Sequence, residues 1–459
     1  MRRRRRLAIL ALCACAAPVH ARQTDRTPDP RDAALALVGV HVISTEADVA
    51  LEDRTVIVAG ERIVAVGPRS TTAVPAGATV IEGNGRYLAP GLADMHVHLH
   101  GEADLVLFLA NGVTTVRNLF GFPLHLELQR RIEAGELLGP TIHTAGPILD
   151  GQPPVWPGSD VARTAEEAER MVRAQAEAGY GFLKVYENLL PDAYDAIVET
   201  AAELGIQVHG HVPTAVGLDR ALEARQRTIE HLSTYGPAMA RSDVEPWRLA
   251  APYRNMVHGW TALDPERVAF YAGFTRESET WNCPTLVVLA RAFATEPELA
   301  AFRERTEALR FVPSSLSAYW NAGPRDEAVN ATVQAGMPGR YAFLRTLHEA
   351  GARLLIGTDT PNPWVIPGFS IHEELAHFIA AGFTPRETLR MATAGAAEFL
   401  GLAAELGDVR PGLVADLVLL AENPLRDLGA YARPAGLVLR GRWLPGERLA
   451  RDLEALAGR

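Results

Sequence analysis

From Gly91 to about residue 360, short apolar runs alternate with amphipathic helical stretches, and this alternation limits the folds open to the 459-residue chain. The runs are LADMHVH, VTTVRN, TIHTAG, FLKVY, IQVHGHV, RTIEHL, PTLVVL and LLIGTD. Between them, stretches 164–179 and 190–205 carry apolar residues at helical spacing, and each ends in Gly as a C-cap would. Counted as strands, the runs predict an α/β fold of the (β/α)8 TIM-barrel type, which typically takes roughly 250 residues. A doubly wound sheet is the rival. It would carry a Gly-rich phosphate turn after an early strand, and none is present.

The flanks read differently. Residues 34–90 alternate in β fashion, with Gly60-Glu61 placed for a tight hairpin. A β pattern returns after residue 404 in GLVADLVLLAENP and AGLVLRGRWLPG. Residues 34–90 and 404–450 therefore predict one small β-sandwich domain beside a barrel spanning 91–403. Two stretches, near 236–280 and 290–340, are rich in Pro, Arg and aromatics and are expected to lie as lids over the barrel mouth.

Residues 1–21 have the layout of a secretory signal peptide. Arg2 to Arg6 form a basic block, Leu7 to Ala17 are eleven apolar residues, and Val19-His20-Ala21 offers small residues at a cleavage site. The apolar run is too short for a membrane anchor, and no later segment is long enough to span a bilayer. A periplasmic or secreted protein is expected, with lipoprotein anchoring through Leu12-Cys13-Ala14-Cys15 as the alternative. The formal charge is −10, and loss of five arginines makes the mature chain more acidic still. Nucleic acid and anionic membranes are poor partners for such a surface. Only Cys283 would survive cleavage, so no intramolecular disulfide can form and the fold must be held by its core or by metal.

Five of the eight strand candidates end in a residue able to bind a metal. His96 and His98 stand two apart on the first, so both imidazoles face the same side. Lys184 is on the fourth, His211 closes the fifth, His231 closes the sixth, and Asp359 follows the eighth. Barrel active sites lie at the C-terminal ends of strands, where these residues fall. Imidazole and carboxylate suit Zn²⁺ or a similar divalent ion. Each element alone is weak: an H-x-H is often unrelated to metal, and a Thr-Asp after a strand is commonly a helix cap. Their order at successive strand ends is what carries the metal reading.

The sequence resembles the amidohydrolase superfamily, in its imidazolonepropionase-like and prolidase-like branch with two metals. The resemblance covers nearly the whole mature chain and rests on LAPGLADMHVHLH, GVTTVRN, GELLGPTIHTAGP, IEHL, GTDT and GDVRPGLVADLVLLAENPLRDL. It implies that His96, His98 and Asp359 hold one metal, that His211 and His231 hold the other, and that Lys184, carboxylated by CO₂, bridges them. The chemistry of lysine agrees. An ammonium has no lone pair for a cation, whereas a carbamate offers two anionic oxygens, and burial supplies the neutral amine that reacts with CO₂.

On this reading a metal-bridging hydroxide hydrolyses an amide-type C–N bond in a dipeptide, an N-acyl amino acid or a cyclic amide. Asp359 accepts the proton of the nucleophile and passes it to the leaving nitrogen. Tyr186 faces the same side as Lys184 and could donate to the substrate carbonyl, with ordinary packing as the alternative. Arg117, His143 and His209 are candidate substrate contacts, each with a structural hydrogen bond as the competing account. His209 also faces inward at strand spacing from His211, which is aligned as the ligand. His100 reads as a loop histidine. The same hydroxide would cleave an ester or lactone, and a non-catalytic metal-binding protein is the reading from another class. The expected partner is a small molecule or dipeptide, with a homo-oligomer open.

Overall fold

The computed structural model describes residues 33–47, 49–244, 253–322 and 325–458. The expected signal peptide lies outside them. The chain enters with β1 (Ala33–Val42), β2 (Leu51–Ala59), β3 (Arg62–Pro68), β4 (Thr79–Glu82) and β5 (Tyr87–Pro90). The expected Gly60-Glu61 turn joins β2 to β3, which pair antiparallel up to Ala59 opposite Arg62. β1 runs antiparallel to β2 and, on its other edge, parallel first to β4 and then to β5. The change of partner falls at the bulged stretch Val38–Val42, and bulges bend a strand this way.

Parallel strands follow: β6 (Leu92–Val97), β7 (Val113–Asn118), β8 (Thr141–Thr144), the short β9 (Leu149–Asp150) and β10 (Asp160–Val161), β11 (Phe182–Val185), β12 (Gln207–Gly210), β13 (Thr228–Glu230), β14 (Trp281–Cys283) and β15 (Arg353–Leu354). β6, β7 and β8 pair in that order, and β11 to β15 pair in theirs. A parallel bridge from Ala145 to Phe182 links the first group to the second. A parallel bridge from Val97 to Thr360 links the segment after β15 back to β6, supported by Met95 N–H donating to Ile356 O at 2.9 Å. Hydrogen bonds therefore run from strand to strand and return to the first.

Helices lie between these strands, among them Ala165–Glu177 and Pro191–Leu204 where the sequence predicted them. Thr164 caps the first by accepting from Glu167 N–H, and Gly205 ends the second at φ 68°. The seventh strand differs from expectation. It is Trp281–Cys283, whereas most of the run PTLVVL forms the helix Leu286–Ala292. A short apolar run without alternation suits a buried helix as well as a buried strand. Both stretches expected as lids contain helices in their described parts. The first contains the helix Pro265–Glu277, which packs beside Met337–Glu349 and lies between β13 and β14. In the second, Leu299, Phe302 and Trp320 pack with Trp364 and Ile366 from the loop after β15.

β16 (Leu417–Leu420), β17 (Gly436–Leu439) and β18 (Arg442–Pro445) then return to the N-terminal strands, β16 antiparallel to β5. The two ends of the chain thus share one eight-stranded sheet, in the order β18-β17-β16-β5-β1-β2-β3 with β4 on β1. A sandwich of two sheets was expected. Hydrogen bonding instead makes it continuous, because β1 serves both sides.

Candidate metal-dependent active site

The six residues expected to bind metal sit at the C-terminal ends of the parallel strands and converge. Asp359 Oδ1 lies 3.2 Å from His96 Nε2 and 2.9 Å from His98 Nε2. Its other oxygen is 3.8 Å from His231 Nδ1. The His231 ring stands 4.7 Å from those of both His96 and His211. Lys184 is 1% exposed, and its amine influences the ionisation of His98, His211 and His231.

Close approach of the first and last strands makes this possible. A Cβ on Gly357 would lie 2.7 Å from His96 N and 2.6 Å from Cys283 Sγ, so only glycine lets the strand leading to Asp359 pass so near His96. Asp94 fastens the same junction, accepting from His96 N–H at 3.3 Å and from the Thr358 hydroxyl at 2.7 Å. Burial pushes its carboxyl up to about 7. Asp359 and His231 both adopt left-handed backbone, at φ 62° and 61°. Strain of this kind in non-glycine residues concentrates at functional sites.

A second layer of side chains orients the imidazoles. His96 Nδ1 donates to Glu230 Oε2 at 2.8 Å, His211 Nδ1 to Glu187 Oε1 at 2.8 Å, and His231 Nδ1 is paired with the Thr285 hydroxyl at 2.6 Å. With Nδ1 of His96 carrying the proton, its Nε2 presents a lone pair. That atom is buried and has no hydrogen-bond partner among the described residues, yet it faces a carboxylate oxygen. Two electron-rich atoms 3.2 Å apart fit a site built for a cation. Ligand atoms of His96, His98 and Asp359 all fall within 4.8 Å of one another.

The electrostatics agree with a donor set. Burial lowers His98 and His211 below the ordinary histidine range and takes His231 to about 3, which keeps these imidazoles neutral. Burial would raise Asp359, yet its carboxyl lies well below the usual carboxylate range and stays ionised among these side chains. Burial brings Lys184 down to about 8, so a neutral amine is accessible near physiological pH. A second grouping, His96 with Glu230 and Cys283, is also compact. Glu230 there is committed to Arg117, and burial pushes the Cys283 thiol far up, so it stays protonated. That grouping belongs to the scaffold.

The remaining candidates separate. Arg117 is fully buried and spends all its donors below the ligands: on Met95 O, on His209 Nδ1, on Thr228 and on both oxygens of Glu230. His209 accepts from it at 2.8 Å, stacks on Phe182, and meets Phe399 edge-on at 5.5 Å. Both are placed as the floor of the site, and the substrate contact considered for them has no exposed atom to make it. His143 stands in register with Arg117 on the neighbouring strand, is only half-buried, and has an Nε2 without a partner among the described residues. Tyr186 packs its ring 4.0 Å from His211, and its oxygen accepts from Trp156 Nε1 at 2.8 Å. His100 is an exposed loop residue. Sequence reasoning missed Asp94, Glu187, Glu230, Thr285 and Trp156. Only Glu230, adjacent to His231, offered a signal.

Residues 87–444 match the model of the amidohydrolase family. The chain belongs to that family. It is accordingly a hydrolase acting on carbon–nitrogen bonds, and the family implies a TIM-type barrel with a separate β-rich domain and divalent metal. The ochratoxinase of Aspergillus niger is 24% identical, with 76% of this chain and 72% of that protein covered. Among solved structures, a bottromycin amidohydrolase superimposes with a TM-score of 0.73 at 28% identity, covering 92% of this chain and 90% of the other. A putative prolidase from Bifidobacterium longum gives 0.68 at 26% identity, covering 92% and 98%.

Proposed function

We propose that this amidohydrolase is an exported, two-metal enzyme that cleaves an amide bond in a dipeptide, an N-acyl amino acid or a cyclic amide. The strand pairings that return to β6 are read as the (β/α)8 barrel of the family. His96, His98 and Asp359 would hold one divalent ion, with Zn²⁺ the expected metal. His211 and His231 would hold the second, and Lys184, as its carbamate, would join the two. The basic and apolar run of residues 2–17 supports export.

The carrying observation is the unpartnered, buried Nε2 of His96 facing Asp359 Oδ1 at 3.2 Å. Two divalent ions held by such a set would supply Lewis acidity and a water acidified toward neutrality. The protein does the rest. Asp359, ionised and next to both first-strand histidines, takes a proton from the attacking water and returns it to the leaving nitrogen. Burial raises the Tyr186 phenol well above its ordinary value, so it keeps its proton. Its oxygen already accepts from Trp156, which leaves that proton free to be donated to a carbonyl oxygen becoming negative.

The test is turnover of a dipeptide and N-acyl amino acid library by zinc-loaded protein, with matched esters alongside. Amide cleavage that a chelator abolishes and zinc restores is expected. Cleavage of esters alone would replace the amide reading.

A further inference from the structure

Aromatic side chains stand beside two of the expected metal ligands, Phe120 and Phe122 at His98 and Trp156 with Tyr186 at His211, and the backbone of one loop joins the two groups. The Phe120 ring stands edge-on to His98 at 6.5 Å and packs on Phe122 at 4.7 Å. The loop carrying Trp156 rests against this pair, since a Cβ on Gly158 would lie 3.3 Å from Phe122 and 3.8 Å from Phe120. Trp156 then reaches Tyr186 through its indole N–H, and Tyr186 packs on His211. Phe120, Phe122 and Trp156 are only half-buried. Aromatic surface left open beside polar, convergent ligands is the composition of a small-molecule pocket.

The loop is held before any ligand arrives. Asp150 is fully buried and accepts from the backbone N–H of Gly151, Asn188 and Val155, each at 2.8 Å. Asn188 donates to Pro153 O at 2.7 Å, and the Ser159 hydroxyl to Trp156 O at 2.9 Å. Trp156 therefore has a fixed place, and a ligand stacking on it bears no ordering cost.

We propose that Phe120, Phe122 and Trp156 form an aromatic wall that selects amides carrying a flat aromatic group on one side of the scissile bond. The inference rests on the metal-dependent reading above and narrows its substrate class. Flat rings gain from edge-on and offset contacts with such a wall beyond simple burial. A preference of roughly ten- to a hundredfold over small aliphatic amides follows.

The experiment has two arms. In the first, kcat/KM of zinc-loaded protein is measured for N-benzoyl-alanine, N-acetyl-phenylalanine and N-acetyl-alanine. In the second, benzohydroxamate and acetohydroxamate, which chelate metal, are titrated into the same protein by calorimetry. At least one aromatic amide should lead the aliphatic one by about tenfold or more, and benzohydroxamate should bind tighter by a similar factor. Both ratios should fall toward one in Trp156→Ala and Phe120→Leu. Trp156→Phe, which keeps a ring but not the N–H, should retain most of the hydroxamate ratio while slowing turnover. Equal handling of aromatic and aliphatic members, or ratios that the substitutions leave unmoved, would overturn the wall alone. Hydroxamate selectivity without cleavage of any amide would uphold the wall and remove the hydrolytic reading. Failure of both hydroxamates to bind would remove both.

Discussion

Glu230 holds His96 by its far nitrogen: Oε2 accepts from Nδ1 across 2.8 Å, and neither side chain is exposed to solvent. The same carboxylate receives the Arg117 guanidinium at 3.0 Å. Burial would raise Glu230, and Arg117 with His96 keeps it ionised instead. A charge needed to orient one ligand is thereby balanced inside the strand ring. Glu230→Gln leaves the guanidinium buried without its counter-charge. Chemical denaturation of metal-free protein should show a loss of about 3–5 kcal/mol. A loss below about 1 kcal/mol, the range of exposed pairs, would mean the pair is not closed off from water.

Glu187 has the corresponding place behind His211 but faces neutral partners as well, Thr214 at 3.2 Å and Asn255 at 2.6 Å. Its substitution should cost less stability and more metal affinity. Glu187→Gln is expected to fold normally and to bind zinc roughly 10- to 100-fold more weakly, by competition with a chelating dye. Unchanged affinity would show that His211 does not bind metal or does not depend on Glu187 for its orientation.

Asp359 is expected to move the proton of the reaction. Asp359→Asn should remain folded and should lose about 10²- to 10⁴-fold in kcat on whichever amide the wild type cleaves. Turnover at the wild-type rate would remove that role.

The dependence of stability on pH can be read from a group outside the site. Glu374, on the helix Ser370–Ala380, is buried; its Oε2 accepts from the N–H of Val287 at 2.7 Å, and its Oε1 has no hydrogen-bond partner among the described residues. Burial raises it from 4.5 to about 8. The folded chain thus holds more protons than the unfolded chain between these values, so stability falls as pH rises through the window and levels off above it. Asp416, raised by burial to about 6, acts in the same direction. Urea midpoints should drop from pH 6 to pH 9, and Glu374→Gln should shrink that drop. An equal drop in both proteins would contradict the assignment.

Much of the site was legible because each ligand closes an apolar run, and strand ends are where a parallel sheet gathers its chemistry. What escaped did so for physical reasons. Strand alternation would place neighbours such as Glu230 and His231 on opposite faces, so their adjacency in sequence is a weak signal of a shared site. His231 adopts φ 61°, which breaks the alternation and lets both face the centre. Thr285 lies in a segment where a strand was expected, and its left-handed backbone at φ 46° starts a helix instead. Arg117 lies near the C-terminal end of the second parallel strand, where a substrate contact would also fall. Only tertiary structure shows its charge neutralised by Glu230 beneath the ligands.

The account turns on whether these side chains hold metal. Elemental analysis of protein purified without chelator and loaded with zinc measures this directly. It predicts about two divalent ions per chain, falling sharply in His96→Ala and again in His211→Ala. A folded protein that retains no ion after loading, or whose ion content ignores both substitutions, would contradict it.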